Sequence, residues 1–188
     1  MKVLNAHERE LPASSEQVGV LIDSLSSRQD SLWPRHSWPR MEFDRPLQVG
    51  AVGGHGPIRY FVKSYTPSRS IRFRFTGPKG FNGHHGFEIS HVTAEACVLR
   101  HALEMTAHGP ALVSWPVVFR PLHNALIEDS LALAQASLGQ QPVVQKWSLW
   151  VKLLRWLVSK GRARAQMTPT IAVNRDAPKA ALSGRPRS

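Results

Sequence analysis

Residues 57–108 read PIRYFVKSYTPSRSIRFRFTGPKGFNGHHGFEISHVTAEACVLRHALEMTAH, and this stretch decides the fold. Four strand-like runs, at 58–66, 70–76, 84–91 and 97–107, are separated by turn-forming segments at 66–69 (TPSR), 77–80 (GPKG) and 93–96 (TAEA). Side chains alternate between the two faces of a strand, so centring each hairpin on its turn predicts which residues share a face. That register pairs Val62 with Phe73, Phe73 with Gly86, and Glu88 with His101. One face then collects Tyr60, Val62, Ser64, Ile71, Phe73 and Phe75 from the first two strands. The last two strands add His84, Gly86, Glu88, Leu99, His101, Leu103 and Met105 to it. The other face takes Lys63, Arg72, Arg74, Arg100 and Glu104, mixed with Phe61, Phe87 and Val98. An apolar face with a few embedded polar groups is the pattern of a binding cavity.

Working outward, residues 3–11 read as a strand, and Ser14 or Ser15 as the N-cap of a helix running to about Leu25. A short helical turn at 29–33 and strands at 38–43 and 47–52 complete the N-terminal part. After the meander, residues 110–138 have helical periodicity, with Trp115, Val118, Phe119, Leu122, Leu126 and Leu133 on one stripe and Gly139 as a stop. Pro116 lies near the start, where proline is tolerated. Pro121 predicts either a kink or the true beginning of the helix. The element order is strand, two helices, six strands and a long final helix.

This order resembles the START-like superfamily, also called SRPBCC, which includes polyketide cyclases, lipid-transfer proteins and birch-allergen-type proteins. The resemblance covers roughly residues 1–138. It rests on the element order, on Gly53-Gly54-His55-Gly56 and Arg72-Phe73-Arg74-Phe75, and on the terminal helix with Trp115. It implies an α+β helix-grip fold, in which a curved antiparallel sheet wraps the long helix and leaves an apolar cavity between them. The superfamily has no universal catalytic motif, so the resemblance implies a ligand class without a reaction.

The expected ligand is a hydrophobic small molecule or lipid, either bound alone or bound and transported. The other readings are a cofactor-independent polyketide cyclase or dehydratase and a regulatory module recruited to membrane or partner by its basic C-terminal helix. Its predicted wall is Tyr60, Val62, Ser64, Phe73, Phe75, His84, Leu99, Leu103 and Met105, with Trp115 and Phe119 from the helix. Glu88 opposite His101 admits three readings. The carboxylate raises and orients the imidazole for acid–base catalysis, as in a cofactor-independent cyclase or dehydratase; the pair orients a bound ligand; or it only satisfies itself. His84, Glu88 and His101 make a poor ligand set for a metal, because His84 and Glu88 lie about 13 Å apart along a strand. No metal and no cofactor is expected. Gly50-Ala51-Val52-Gly53-Gly54-His55-Gly56 precedes a strand rather than a helix, which argues for a turn with His55 on its rim and against a nucleotide loop. Gly77–Gly83 is a second loop, with Phe81 as a candidate lid. Asp129 falls near the apolar stripe of the long helix, facing either a cation or solvent.

The formal charge of +11 is unevenly placed. Residues 1–145 hold 14 Lys/Arg and 12 Asp/Glu, leaving +2, whereas residues 146–188 hold 10 Lys/Arg and the single acid Asp176, leaving +9. The division predicted is a ligand-binding domain at 1–139, a linker and basic amphipathic helix at 140–160, and a disordered basic tail at 161–188. In that helix Trp147, Trp150 and Trp156 accompany Lys152 and Arg155. The helix is too short and too charged to span a bilayer. Its wide apolar face suits either an anionic membrane interface or packing on the domain or a second subunit. The tail admits lipid headgroups, nonspecific nucleic-acid contact or plain solvation, and no specific nucleic-acid partner is expected. One cysteine, Cys97, precludes an internal disulfide. The N-terminus has no basic segment leading into an apolar run, which predicts cytoplasmic residence, peripheral to membrane if the last helix docks there.

Overall fold

The structure, a computed structural model, describes residues 1–93 and 95–166, with side chains through Val158. Met1–Arg155 form one compact unit, and residues from Trp156 onward group separately. Within the first unit a seven-stranded antiparallel sheet has the order β1-β7-β6-β5-β4-β3-β2. The strands are β1 (Lys2–Leu11), β2 (Glu42–Phe43), β3 (Val52–His55), β4 (Ile58–Thr66), β5 (Ser70–Gly77), β6 (Phe81–Ser90) and β7 (Cys97–Ala107). Helix α1 (Ser15–Asp23) follows β1. After β7 come α2 (Ala111–Ser114), a π-helical turn (Trp115–Phe119), α3 (Arg120–Ser137) and α4 (Leu149–Gln166).

Of the two candidate caps of α1, Ser14 is the one used. The Ser14 side chain accepts from the Gln17 amide while Gln17 reaches back to the Ser14 N–H. No helix forms at 29–33, where Asp30 instead accepts from the Leu32 and Trp33 amides in a turn. The strands expected at 38–43 and 47–52 shrink and shift to β2 and β3.

Glycine at position 19 lets α1 lie against the β4–β5 hairpin, because a Cβ there would stand 2.4 Å from the Ser68 carbonyl oxygen. Asp23 ties the same hairpin down, accepting from the Ser68 amide (2.8 Å), the Ser68 hydroxyl (2.7 Å) and the Tyr65 hydroxyl (2.7 Å). Asp23→Ala is expected to cost about 2–3 kcal/mol, as hydrogen bonds to a charged group do, measured as a drop in the urea midpoint.

The register differs from expectation in one strand. Val62 pairs with Phe73 as predicted, but Phe73 pairs with His85, and Glu88 pairs with Arg100. The loop between β5 and β6 holds three residues, 78–80, closed by Gly80 at φ +95°. The pairing therefore centres on Lys79 and not between Lys79 and Gly80, which shifts the register by one residue. The β6–β7 pairing is also one residue short, with Glu88 opposite Arg100 where His101 was expected, so a second slip cancels the first. Strands β5 and β7 keep their predicted faces and β6 alone is inverted, because a one-residue slip exchanges every side chain. His85, Phe87 and Ile89 are buried in the core, while His84 and Glu88 belong to the outer face.

The long helix is also re-phased. Pro121 has no N–H to give the carbonyl of Val117, and the wider π turn carries the chain past this point. Beyond it the buried stripe runs through Leu126, Ile127, Leu131 and Ala134, with Leu133 only half-buried. Helix α4 starts at Leu149 and continues to Gln166, so residues 161–166, expected to be disordered, extend a helix. The rest of the expected tail, 167–188, lies outside the described residues.

Candidate functional site

The buried face of the sheet carries a series of imidazoles that crosses the core. His85 on β6 is 5% exposed and His101 on β7 is 1% exposed, and their Nδ1 and Nε2 atoms lie 3.4 Å apart. On one side, the His85 ring meets Tyr60 edge-on at 4.9 Å, and the Tyr60 hydroxyl is 2.9 Å from Nδ1 of His55. On the other, His101 lies 5.1 Å from the His123 ring on α3, which lies 6.2 Å from His7 on β1. His7 Nδ1 meets Glu128 at 2.7 Å, and Arg9 donates to the same carboxylate at 2.8 Å. Phe73, Phe75 and Phe87 enclose the central pair, with Phe75 stacked on His85 at 4.8 Å.

Burial decides the protonation of this series. It pushes the imidazoles of His85 and His101 well below their ordinary value, and neighbouring imidazoles add to the effect. His123 is pushed down to about 3 by the same burial, with His7 and His55 contributing. Burial also pushes the Tyr60 phenol well up. At neutral pH the three histidines are therefore uncharged, each with one N–H and one lone pair. In the His85–His101 contact one ring donates to the other. Whichever tautomer pair is present, the outer nitrogens Nε2 of His85 and Nδ1 of His101 then offer one donor and one acceptor. Neither of these has a hydrogen-bond partner among the described residues, nor has either ring nitrogen of His123. A buried polar atom left unpaired is costly, so such a group calls for an explanation.

Of the predicted cavity residues, Tyr60, Val62, Phe73, Phe75, Leu99, Leu103, Met105 and Trp115 are buried in the core, and Phe119 packs against it. Ser64 is not there. A bulge between Val62 and Ser64 pairs Ser64 with Arg72 and turns it to the exposed face. His84 also lies outside, 3.7 Å from Glu104. The Glu88–His101 pair does not form, because Glu88 meets Arg100 at 3.2 Å on the outer face. The same inversion separates His84 and Glu88 from His101 as a ligand set. Among the described residues no group of three His, Cys, Asp or Glu is placed to hold a metal ion. Phe81 is a buried ring against Phe75, Trp115 and Phe119, not a lid, and His55 sits inside against Trp33 and Tyr60.

His85 was missed although a signal existed: Phe81, Phe87 and Ile89 share its parity along β6, and their alternation alone assigns the face. His7, Arg9 and Glu128 were missed because β1 alternates Val3, Asn5, His7, Arg9 and Leu11 toward α3, a polar seam that looks like surface. Asp129 meets neither arginine nor solvent alone: its Oδ2 accepts from the indoles of Trp38 (2.7 Å) and Trp147 (3.0 Å). The Arg155 guanidinium stacks over both rings, at 4.3 and 3.9 Å.

A seven-stranded antiparallel sheet whose inner face holds the long α3 is a helix-grip fold, the architecture that the START-like resemblance implies. Solved structures show the same arrangement. A protein from Thermobifida fusca is similar with a TM-score of 0.57 at 15% identity, covering 76% of this chain and 99% of its own. Norcoclaurine synthase from Thalictrum flavum, solved with a transition-state analogue, has a TM-score of 0.56 at 15% identity, covering 74% and 96%. CalU16 from Micromonospora echinospora has a TM-score of 0.51 at 11% identity, covering 87% and 96%. No protein-family model and no curated protein sequence matches the chain.

Proposed function

We propose that the protein binds a neutral, largely apolar small molecule bearing hydroxyl or carbonyl groups between the sheet and α3. His85, His101 and His123 orient it. The observation that carries this reading is the set of buried imidazole nitrogens without partners, enclosed by aromatic rings. Uncharged imidazoles supply both donors and acceptors but no charge to balance a carboxylate or phosphate, which favours a neutral ligand over a fatty acid or phospholipid headgroup. Apolar burial at about 25 cal/mol per Å² supplies most of the affinity, and the imidazoles select among apolar molecules.

Orientation is favoured over acid–base catalysis. His123, held down to about 3, and His101, pushed by burial well below its ordinary value, are weak bases, and Glu88 is not beside His101 to strengthen it. Native mass spectrometry of the full chain, with extraction of copurifying molecules, tests the proposal. A stoichiometric neutral hydroxylated or carbonyl compound, lost in His101→Phe while the circular dichroism spectrum is kept, is the expected result. Recovery of an acidic ligand, or equal loading of the variant, would sink it.

We infer also that residues 146–164 recruit the domain to an anionic membrane surface. No acid occurs between Asp129 and Asp176, and Leu149, Trp150 and Leu153 are exposed. No helix of the described residues is long and apolar enough to cross a bilayer, so this contact is interfacial.

A further inference from the structure

Helix α4 has two apolar faces within the first compact unit. Val151 and Leu154 are buried, beside the Trp147–Asp129–Trp38 anchor. The second face, Leu149, Trp150 and Leu153, stays in solvent, with Leu149 83% exposed. Next to it, α2 and the π turn expose Leu112, Val113 (69%) and Val117. The two groups are joined directly, since the Trp150 indole N–H donates to the Val117 carbonyl at 2.8 Å. An exposed apolar patch drawn from two elements marks an interaction surface more often than scattered single residues do.

Resting on the recruitment reading above, we propose that Leu112, Val113, Val117, Leu149, Trp150 and Leu153 form one docking face that seats the domain on an anionic phospholipid bilayer. Charge selects this occupant. The segments that build the face, 105–127 and 130–175, contain no acid, while Arg120, Lys146 and Lys152 are exposed cations on them. The hydrogen bond of Trp150 then acquires a role. Val117 O faces Pro121 four residues on, which has no N–H, and the indole supplies the missing donor. A tryptophan ordinarily stays at headgroup level because its N–H needs a partner. Here the partner is intramolecular, so the ring and the Val117 carbonyl enter the acyl region together with neither left unpaired.

Flotation of the full chain with phosphatidylcholine vesicles, with and without about a third phosphatidylglycerol, tests this face. Binding is expected only with the anionic lipid, weakened at least about tenfold by Val113→Asp and by Leu149→Asp, and unchanged by Leu4→Asp on the outer face of β1. Both tested positions are exposed, and an unchanged circular dichroism spectrum will show that the variants fold. Loss with Leu149→Asp but not Val113→Asp would overturn the two-element face and leave recruitment by α4 standing. No flotation of the wild-type chain would overturn recruitment itself. A dimer in sedimentation velocity that Val113→Asp dissociates, without flotation, would assign the face to a second copy and overturn the membrane proposal.

Discussion

His123→Phe is expected to stabilise the protein, and to stabilise it more at pH 5 than at pH 8. Both ring nitrogens of His123 are inaccessible and lack hydrogen-bond partners among the described residues, so an apolar ring of similar shape strands no donor or acceptor. The pH dependence follows from the imidazole's displacement. An unfolded histidine protonates near pH 6.5, whereas burial holds His123 down to about 3 and His85 and His101 well below the ordinary value. Between these limits the unfolded chain binds protons that the folded chain refuses. Stability is therefore full above about pH 6.5 and falls as pH drops toward the folded values. His123, neutral down to pH 5, costs about 2 kcal/mol there, and His85 and His101, also held below their ordinary value, act in the same direction. Urea midpoints of wild type and variant at the two pH values isolate one such site: the variant should lose about 2 kcal/mol less between pH 8 and pH 5. An identical loss in both would mean that His123 is not held neutral. The stabilised variant should also bind ligand more weakly, because the buried polar atoms that burden the fold are those offered to the ligand.

Much of the architecture was legible in local chemistry. The runs that became β1, β4 and β7, a serine cap at 14 or 15 and the C-terminal end of α3 are written in alternation, caps and stops. What was not legible depends on single-residue events that no periodicity records. The three-residue loop at 78–80 inverted β6 and hid His85, the bulge at Lys63 expelled Ser64, and the π turn ahead of Pro121 rotated the stripe of α3. Each is one residue of phase, and the first two moved a chemistry-bearing side chain across a face. The Glu88–His101 pair fell to such a slip, while His101 itself kept its predicted place because two slips cancelled at β7. The imidazole series was legible only as histidines scattered over five elements, from His7 to His123. Their meeting is a product of topology, since β1, the first strand, lies beside β7, the last.

Asp129→Ala is expected to release α4 from the domain while leaving the sheet intact. A single carboxylate oxygen accepts both the Trp38 and the Trp147 indole, and Arg155 stacks across the two rings the carboxylate holds. Removing it strands two indole donors and takes away the nearby anion. Of the two bonds only that of Trp147 ties the α4 segment to the domain, so at about 1.5–3 kcal/mol for a hydrogen bond to a charged acceptor the docking of α4 should weaken by about that amount. Amide exchange at residues 149–155 should then accelerate by about ten- to a hundredfold, with β6 and β7 amides little changed. Asp129→Asn separates geometry from charge. An amide oxygen in the same place still accepts from both indoles, so its effect should be a small part of the alanine effect. Equal acceleration in both variants would assign the anchor to charge opposite Arg155, and unchanged exchange in the alanine variant would remove Asp129 as an anchor. The same contact governs the membrane face. Trp150 reaches Val117 only while α4 is docked, so Asp129→Ala should also abolish the contribution of Val113 to vesicle binding and leave the charges of α4 to act alone.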